Sequence, residues 1–214
     1  MFFSSAMRHL PRRFLAPFAF AFLATSTLVG CVPPREVVRP DELANRSPNA
    51  TALVVVYSRS GHTAAMARAM AGVLGADYQR LSSEKVPDSF LSIPKWTEPI
   101  PVTPQTLDLA PYRLVVVGGP IWQWRPNAVT ASFLQANDFT GKDVVLFYTF
   151  QGGTMSPETE AAWKKLVTDR GGRVLEVVGI NRKDLPEGAT VASEAERLAR
   201  EKKDAWTAPA QATK

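Results

Sequence analysis

Val54-Val-Val-Tyr-Ser-Arg-Ser-Gly-His-Thr63 joins an apolar, β-branched run to a cluster of hydroxyls around one glycine. The run from Ala52 to Tyr57 shows no polar alternation, so the strand it predicts is buried on both faces, as in a parallel sheet. From Thr63 to Leu74 the period becomes helical, with Met66, Met70, Val73 and Leu74 on one face and Gly75 as a C-cap. The turn between them exposes backbone N–H groups and the positive end of a helix dipole, which together favour an anion. Ser58, Ser60 and Thr63 add hydroxyls, and Gly61 permits close approach. The turn has no lysine, so it is not a Walker A loop. It has one glycine where the dinucleotide fingerprint needs three. Val56 and Ser60 stand where a nucleophile elbow around Ser58 requires glycine. From these residues alone, a loop that merely caps its helix is an equal reading.

The same alternation continues along the chain. Leu114 to Val117, Val144 to Tyr148 and Val174 to Ile180 are further apolar runs, and Tyr78 to Leu81 is a weaker one. Helical patterns cover Asn127 to Ala136 and Thr190 to Ala205. Another starts at Ser156, with Pro157, Glu158 and Glu160 in its first turn, and ends at Gly171-Gly172. Such βα alternation predicts a doubly wound α/β sandwich. The segment from Ser82 to Pro111 breaks the pattern with six prolines (87, 94, 99, 101, 104, 111); its Phe90, Ile93 and Trp96 predict that it packs onto something.

Two more loops follow predicted strands. Gly118-Gly-Pro-Ile-Trp-Gln-Trp-Arg-Pro126 carries two tryptophans that need a core or a flat ligand to cover them. Thr149-Phe-Gln-Gly-Gly-Thr154 offers backbone N–H groups at Gly152 and Gly153. Each loop taken singly also reads as ordinary packing or an ordinary turn. All three follow carboxyl ends of parallel strands, where ligands of such sheets sit. A phosphate at one end and a planar ring at the other describe a mononucleotide with an aromatic head.

From Thr51 to about Ile180 the chain resembles the flavodoxin-like FMN-binding proteins. Ser58-Arg-Ser-Gly-His-Thr63 is similar to their phosphate loop of the form Ser/Thr-x-Ser/Thr-Gly-x-Thr, with His62 where the family usually has asparagine. Gly119-Pro-Ile-Trp122 with Trp124 is similar to their flavin-ring loop, and Phe150-Gln-Gly-Gly-Thr154 to their third loop. The resemblance implies a doubly wound, five-stranded parallel sheet in the order 2-1-3-4-5, within a domain at 51–206 followed by a tail at 207–214. It implies FMN as cofactor, with Ser58, Arg59, Ser60, Gly61, His62 and Thr63 around the phosphate. Pro120, Ile121, Trp122 and Trp124 would line the ring, and Gly152, Gly153 and Thr154 its edge. It implies electron transfer, or reduction of a quinone with NAD(P)H. No nicotinamide site, catalytic group or metal-ligand cluster is legible, so whether the chain is an enzyme stays open. Arg125 is either a tuner of the flavin or a solvated loop charge. The rival reading is an envelope scaffold that kept the fold and lost the flavin.

The N-terminus carries a separate signal. Arg8, Arg12 and Arg13 precede an apolar stretch, Phe14 to Val29, that is short for a membrane span and suits a signal peptide. The single cysteine follows it, and Leu28-Val-Gly-Cys31 resembles a bacterial lipobox. The expectation is a signal peptide at 1–31, a lipid anchor on Cys31 and a Pro-rich tether at 32–50. The chain would then lie at the periplasmic side of the cell envelope. Val32, rather than an aspartate, leans this towards the outer membrane. Of the 25 Lys+Arg, those three arginines lie in residues 1–31, which hold no acid; the other 22 face 20 Asp+Glu. The remainder is near neutral, which gives no reason to expect nucleic acid. A lone cysteine forms no intramolecular disulfide.

Overall fold

The computed structural model describes residues 35–86 and 92–209. The chain divides into two units, Met1–Cys31 and Val32–Lys214, and every described residue belongs to the second. The signal segment, Cys31, Phe90 and the end of the tail lie outside the described residues.

A 3-10 turn (Pro40–Glu42) and a short strand β1 (Ala44–Asn45) lead into β2 (Ala52–Tyr57), α1 (His62–Leu74) and β3 (Asp77–Leu81). There follow β4 (Leu114–Trp122), β5 (Arg125–Pro126), α2 (Ala128–Ala136), β6 (Asp143–Phe150), α3 (Pro157–Thr168), β7 (Arg173–Asn181) and α4 (Val191–Thr207). The sheet runs β1-β3-β2-β4-β6-β7, with β5 hydrogen-bonded to β4. β3, β2, β4, β6 and β7 are mutually parallel. The five parallel strands expected are present, and among the described residues two further strands are added to them. The two additions, β1 and β5, are antiparallel two-residue strands too short to leave a periodic trace.

All six residues of β2 are buried. Leu53, Val55 and Tyr57 face Val129, Phe133, Trp163 and Val167 of α2 and α3. Val54 and Val56 face Met66 and Met70 of α1 and Ala195 and Ala199 of α4. A strand with helices on both sides has no wet face, which explains the unbroken apolar run. Each fully buried Val or Leu contributes about 1.5–3 kcal/mol.

The proline-rich segment takes the place of a helix over one core. Val102, Leu109 and Tyr112 are buried there. Ile100 N–H donates to Ser132 Oγ (2.9 Å) and Leu107 N–H to Asn137 Oδ1 (2.9 Å), while Asn137 Nδ2 donates to Gln105 O (3.1 Å). Side chains of α2 and of its C-cap Asn137 thus satisfy backbone groups that a helix would satisfy internally. Tyr112 Oη donates to buried Asp77 Oδ2 (2.7 Å). Burial, with that carboxylate beside it, pushes the phenol up to about 12.

Residues 35–50, expected as a linker, are held against the sheet edge. β1 pairs with β3. Arg46 donates to Tyr78 O (2.6 Å) and Gln79 Oε1 (2.7 Å), and Ser47 N–H to Asp77 Oδ1 (2.6 Å). Glu36 N–H donates to Arg59 O (2.6 Å). The prolines and charges that suggested a solvated linker instead cover an edge strand, which such residues are suited to do.

Candidate functional site at the carboxyl edge of the sheet

The turn Ser58–Gly61 leads from β2 into α1. Gly61 is the N-cap, at φ 85°, and no side chain caps the helix. The other three helices are capped by Asn127, Ser156 and Thr190. Ser60 is half-buried at the turn and His62 is exposed. Ser58 and Arg59 are buried, and Ser58 Oγ makes no hydrogen bond. Thr63 points inward: its Oγ1 lies 2.6 Å from Thr149 Oγ1. That hydroxyl, expected at an anion, here joins the first loop to the third.

Although His62 is exposed overall, desolvation of part of its ring pulls the imidazole below its ordinary value; Arg182 adds to this and Glu36 opposes it. The unfolded chain therefore takes up this proton first as the pH drops. The His62 contribution to stability is complete above the ordinary value of 6.5 and is lost as pH falls through the folded one. An NMR titration of the ligand-free protein is expected to find His62 titrating below 6.5; a value above it would contradict the electrostatics described.

The tryptophan loop is a tight hairpin. Ile121 pairs with Pro126 and Trp122 with Arg125, leaving Gln123 and Trp124 as the turn at φ 50° and 61°. Two left-handed residues suit the twist of a two-residue hairpin, but each non-glycine costs about 1–2 kcal/mol there. Such strain gathers at functional sites. Trp122 is half-buried, edge-on to Tyr57 with centroids 5.7 Å apart. Ile121, expected beside a ring, is buried in the core. Trp124 is 62% exposed. Pro120 O accepts from Asn127 Nδ2 (3.0 Å), whose Oδ1 caps α2 through Thr130 N–H (2.9 Å). One side chain thereby fixes both the hairpin's first strand and the following helix. Arg125 is exposed at the hairpin.

The third loop meets both others. Gly152, Gly153 and Thr154 are exposed. Thr154 Oγ1 lies 2.8 Å from Tyr148 Oη, which ties the loop to β6. A Cβ on Gly153 would fall 2.8 Å from Trp124 Cδ1 and closer still to Nε1. The indole thus lies directly on that glycine. The three loops are brought together at the carboxyl edge of the sheet by the contacts Tyr57–Trp122, Thr63–Thr149 and Trp124–Gly153.

Three residues escaped the sequence reading. Arg182 follows β7; its side chain donates to Gln151 Oε1 and its field reaches His62. Arg80 is 4% exposed and donates to Ser58 O (3.0 Å). Glu36 accepts from Arg80 at 2.7 Å and sits against Gly61. Position after the last parallel strand was the one available signal for Arg182. Glu36 and Arg80 carried none.

No family model matches the chain. No curated protein matches it. Solved structures do. A candidate flavoprotein from Bacteroides eggerthii DSM 20697 is 20% identical, with 75% of this chain and all (100%) of that one covered, at a TM-score of 0.58. Another, from Bacteroides uniformis ATCC 8492, is 21% identical over 70% of this chain and 97% of that one, at 0.55. A flavoprotein from Lactobacillus acidophilus NCFM, solved in complex with FMN, is 16% identical over 74% of this chain and 99% of that one, at 0.47. The likeness is one of fold: the chain has the flavodoxin-like α/β architecture.

Proposed function

We propose that this flavodoxin-like chain binds FMN in the crevice between β2 and β4 and serves as a redox protein. The observation that carries the reading is that a helix start with no side-chain cap and an exposed indole are tied to one loop after β6, through Thr63–Thr149 and Trp124–Gly153. The uncapped first turn of α1 supplies amides and dipole for a phosphate. Ser60 adds a hydroxyl, and Arg182, beyond Gln151, adds positive charge. Buried Ser58 Oγ still lacks an acceptor. Trp124, held out from the surface against Gly153, offers a flat apolar face to a ring, and Trp122 closes the inner side. Bound FMN supplies one- and two-electron transfer, which the protein tunes.

The residues present fit that group. Phosphate and ring would both lie outside the carboxyl ends of β2 and β4, at the point where the strand order reverses. A dianion beside His62 favours the charged imidazole, so FMN is expected to raise the depressed His62 value. We further read Cys31 as a lipid anchor that holds the chain at the cell envelope, with a quinone, NAD(P)H or a redox protein as exchange partner. Residues 32–214, purified from cells, are expected to be yellow and to release one FMN per chain on denaturation. A colourless protein that refuses added FMN would leave only a scaffold role.

A further inference from the structure

The turn from β2 into α1 is held from outside by two residues of other segments. Arg80 of β3 donates from Nη2 to Ser58 O (3.0 Å) and to Glu36 Oε2 (2.7 Å). The Glu36 N–H donates to Arg59 O (2.6 Å). The Glu36 carboxyl also lies against Gly61, 3.2 Å from where a Cβ would stand. Two successive carbonyls of the turn are therefore taken by one ion pair.

That fixes the neighbouring amides. In a trans peptide the C=O and the following N–H point in opposite directions, and both peptides of this turn are trans. With Ser58 O turned to Arg80, the Arg59 N–H points away from β3. With Arg59 O turned to Glu36, the Ser60 N–H points away from the same pair. Among the described residues no main-chain carbonyl accepts from the Ser60 N–H. The sheet order puts β4 across β2 from β3. Both amides are thus turned from β3 towards the β4 side, where the proposed flavin crevice lies.

The pair is itself anchored. Arg80 is 4% exposed. A buried guanidinium is costly without its counter-charge, so its place depends on the Glu36 carboxylate. Arg68 lies 3.9 Å from the other oxygen of that carboxylate. The segment that carries Glu36 is tied down on both sides: Arg35 donates to Val86 O, and Ala44–Asn45 pairs with β3. Amides held in advance spare the ligand the cost of ordering them.

We propose that Glu36 and Arg80 are positioning residues of the phosphate site, which aim the Arg59 and Ser60 amides at the dianion without touching it. This rests on the FMN reading. It makes the segment around Glu36 part of the cofactor site, although it precedes the domain expected from the sequence. It also fixes a sign. By charge alone a carboxylate near a phosphate weakens binding, so removing it would tighten FMN. Positioning predicts the reverse.

Dissociation constants of FMN and riboflavin for the full chain, with a thermal melt of each variant, decide between the two. Glu36→Ala is expected to weaken FMN about 10-fold, the worth of one misdirected hydrogen bond to a charged group, and to leave riboflavin unchanged. Glu36→Gln, whose amide oxygen still accepts from Arg80, is expected to restore FMN binding to the wild-type level or above. Arg80→Met should weaken FMN at least as much as Glu36→Ala. The double variant should lose no more than Arg80→Met, because both break one network. Should Arg80→Met fail to fold, the two Glu36 variants decide alone. A wild-type chain that binds FMN, with Glu36→Ala binding it as tightly or more tightly, overturns this inference and leaves the flavin reading standing. Equal losses for FMN and riboflavin overturn it too, since the damage would then not be at the phosphate. A wild-type chain that binds no FMN overturns the flavin reading itself, and this inference with it.

Discussion

Replacing Gly61 by valine is expected to weaken FMN binding by at least about 100-fold while the chain stays folded. Gly61 holds φ 85° at the N-cap of α1. Only glycine occupies that region freely, and a β-branched side chain is excluded from it most strongly. A Cβ there would also lie 3.2 Å from the Glu36 carboxyl. The turn would relax by rotating its peptide planes, which aims the amides away from a common point. Hydrogen bonds to a charged group are worth about 1.5–3 kcal/mol each. Misdirecting two of them exceeds the roughly 2.7 kcal/mol that 100-fold represents. Titration with FMN, alongside a thermal melt, separates loss of the site from loss of the fold. A folded variant that binds within threefold of wild type would show that the turn does not grip the phosphate.

Gly153→Val is expected to cost about 10- to 30-fold in FMN affinity with little change in Tm. The loop is exposed, and Gly153 does not have the positive φ of Gly152, so valine brings little backbone strain. Its effect passes through Trp124, whose indole occupies the space that the new side chain needs. Displacing an aromatic ring from a flat ligand forfeits about 1–2 kcal/mol of stacking and burial. Trp124→Ala should show a similar loss. The double variant should be no worse than either single one, because both remove one interaction. Additive losses would mean that Gly153 and Trp124 act separately.

The fold was legible because β2, β4 and β6 are buried on both faces, which leaves unbroken apolar runs between helical stretches. The loops were legible because glycine, hydroxyl and tryptophan cluster after those runs. Other features depend on contacts between distant residues. Glu36 reaches Arg80, 44 positions away, so its segment looks like a solvated linker until the sheet edge is present. Gln123-Trp124 lacks the glycine or asparagine that marks a two-residue hairpin, and the tertiary frame imposes the turn. Thr63 fits a phosphate-loop pattern, yet its hydroxyl turns inward to Thr149. Arg182 and Arg80 became visible as site residues only when the carboxyl ends of β7 and β3 were placed beside α1.

The central claim is that the start of α1 holds a dianion while Trp124 shelters the attached ring. Riboflavin has the ring system of FMN without its phosphate, so the ratio of their dissociation constants isolates the first half of that claim. FMN is expected to bind at least about 100-fold more tightly than riboflavin, an advantage of roughly 2.7 kcal/mol. Equal affinity for the two, in a protein that binds flavin, would show that no phosphate is held at α1 and would contradict the account.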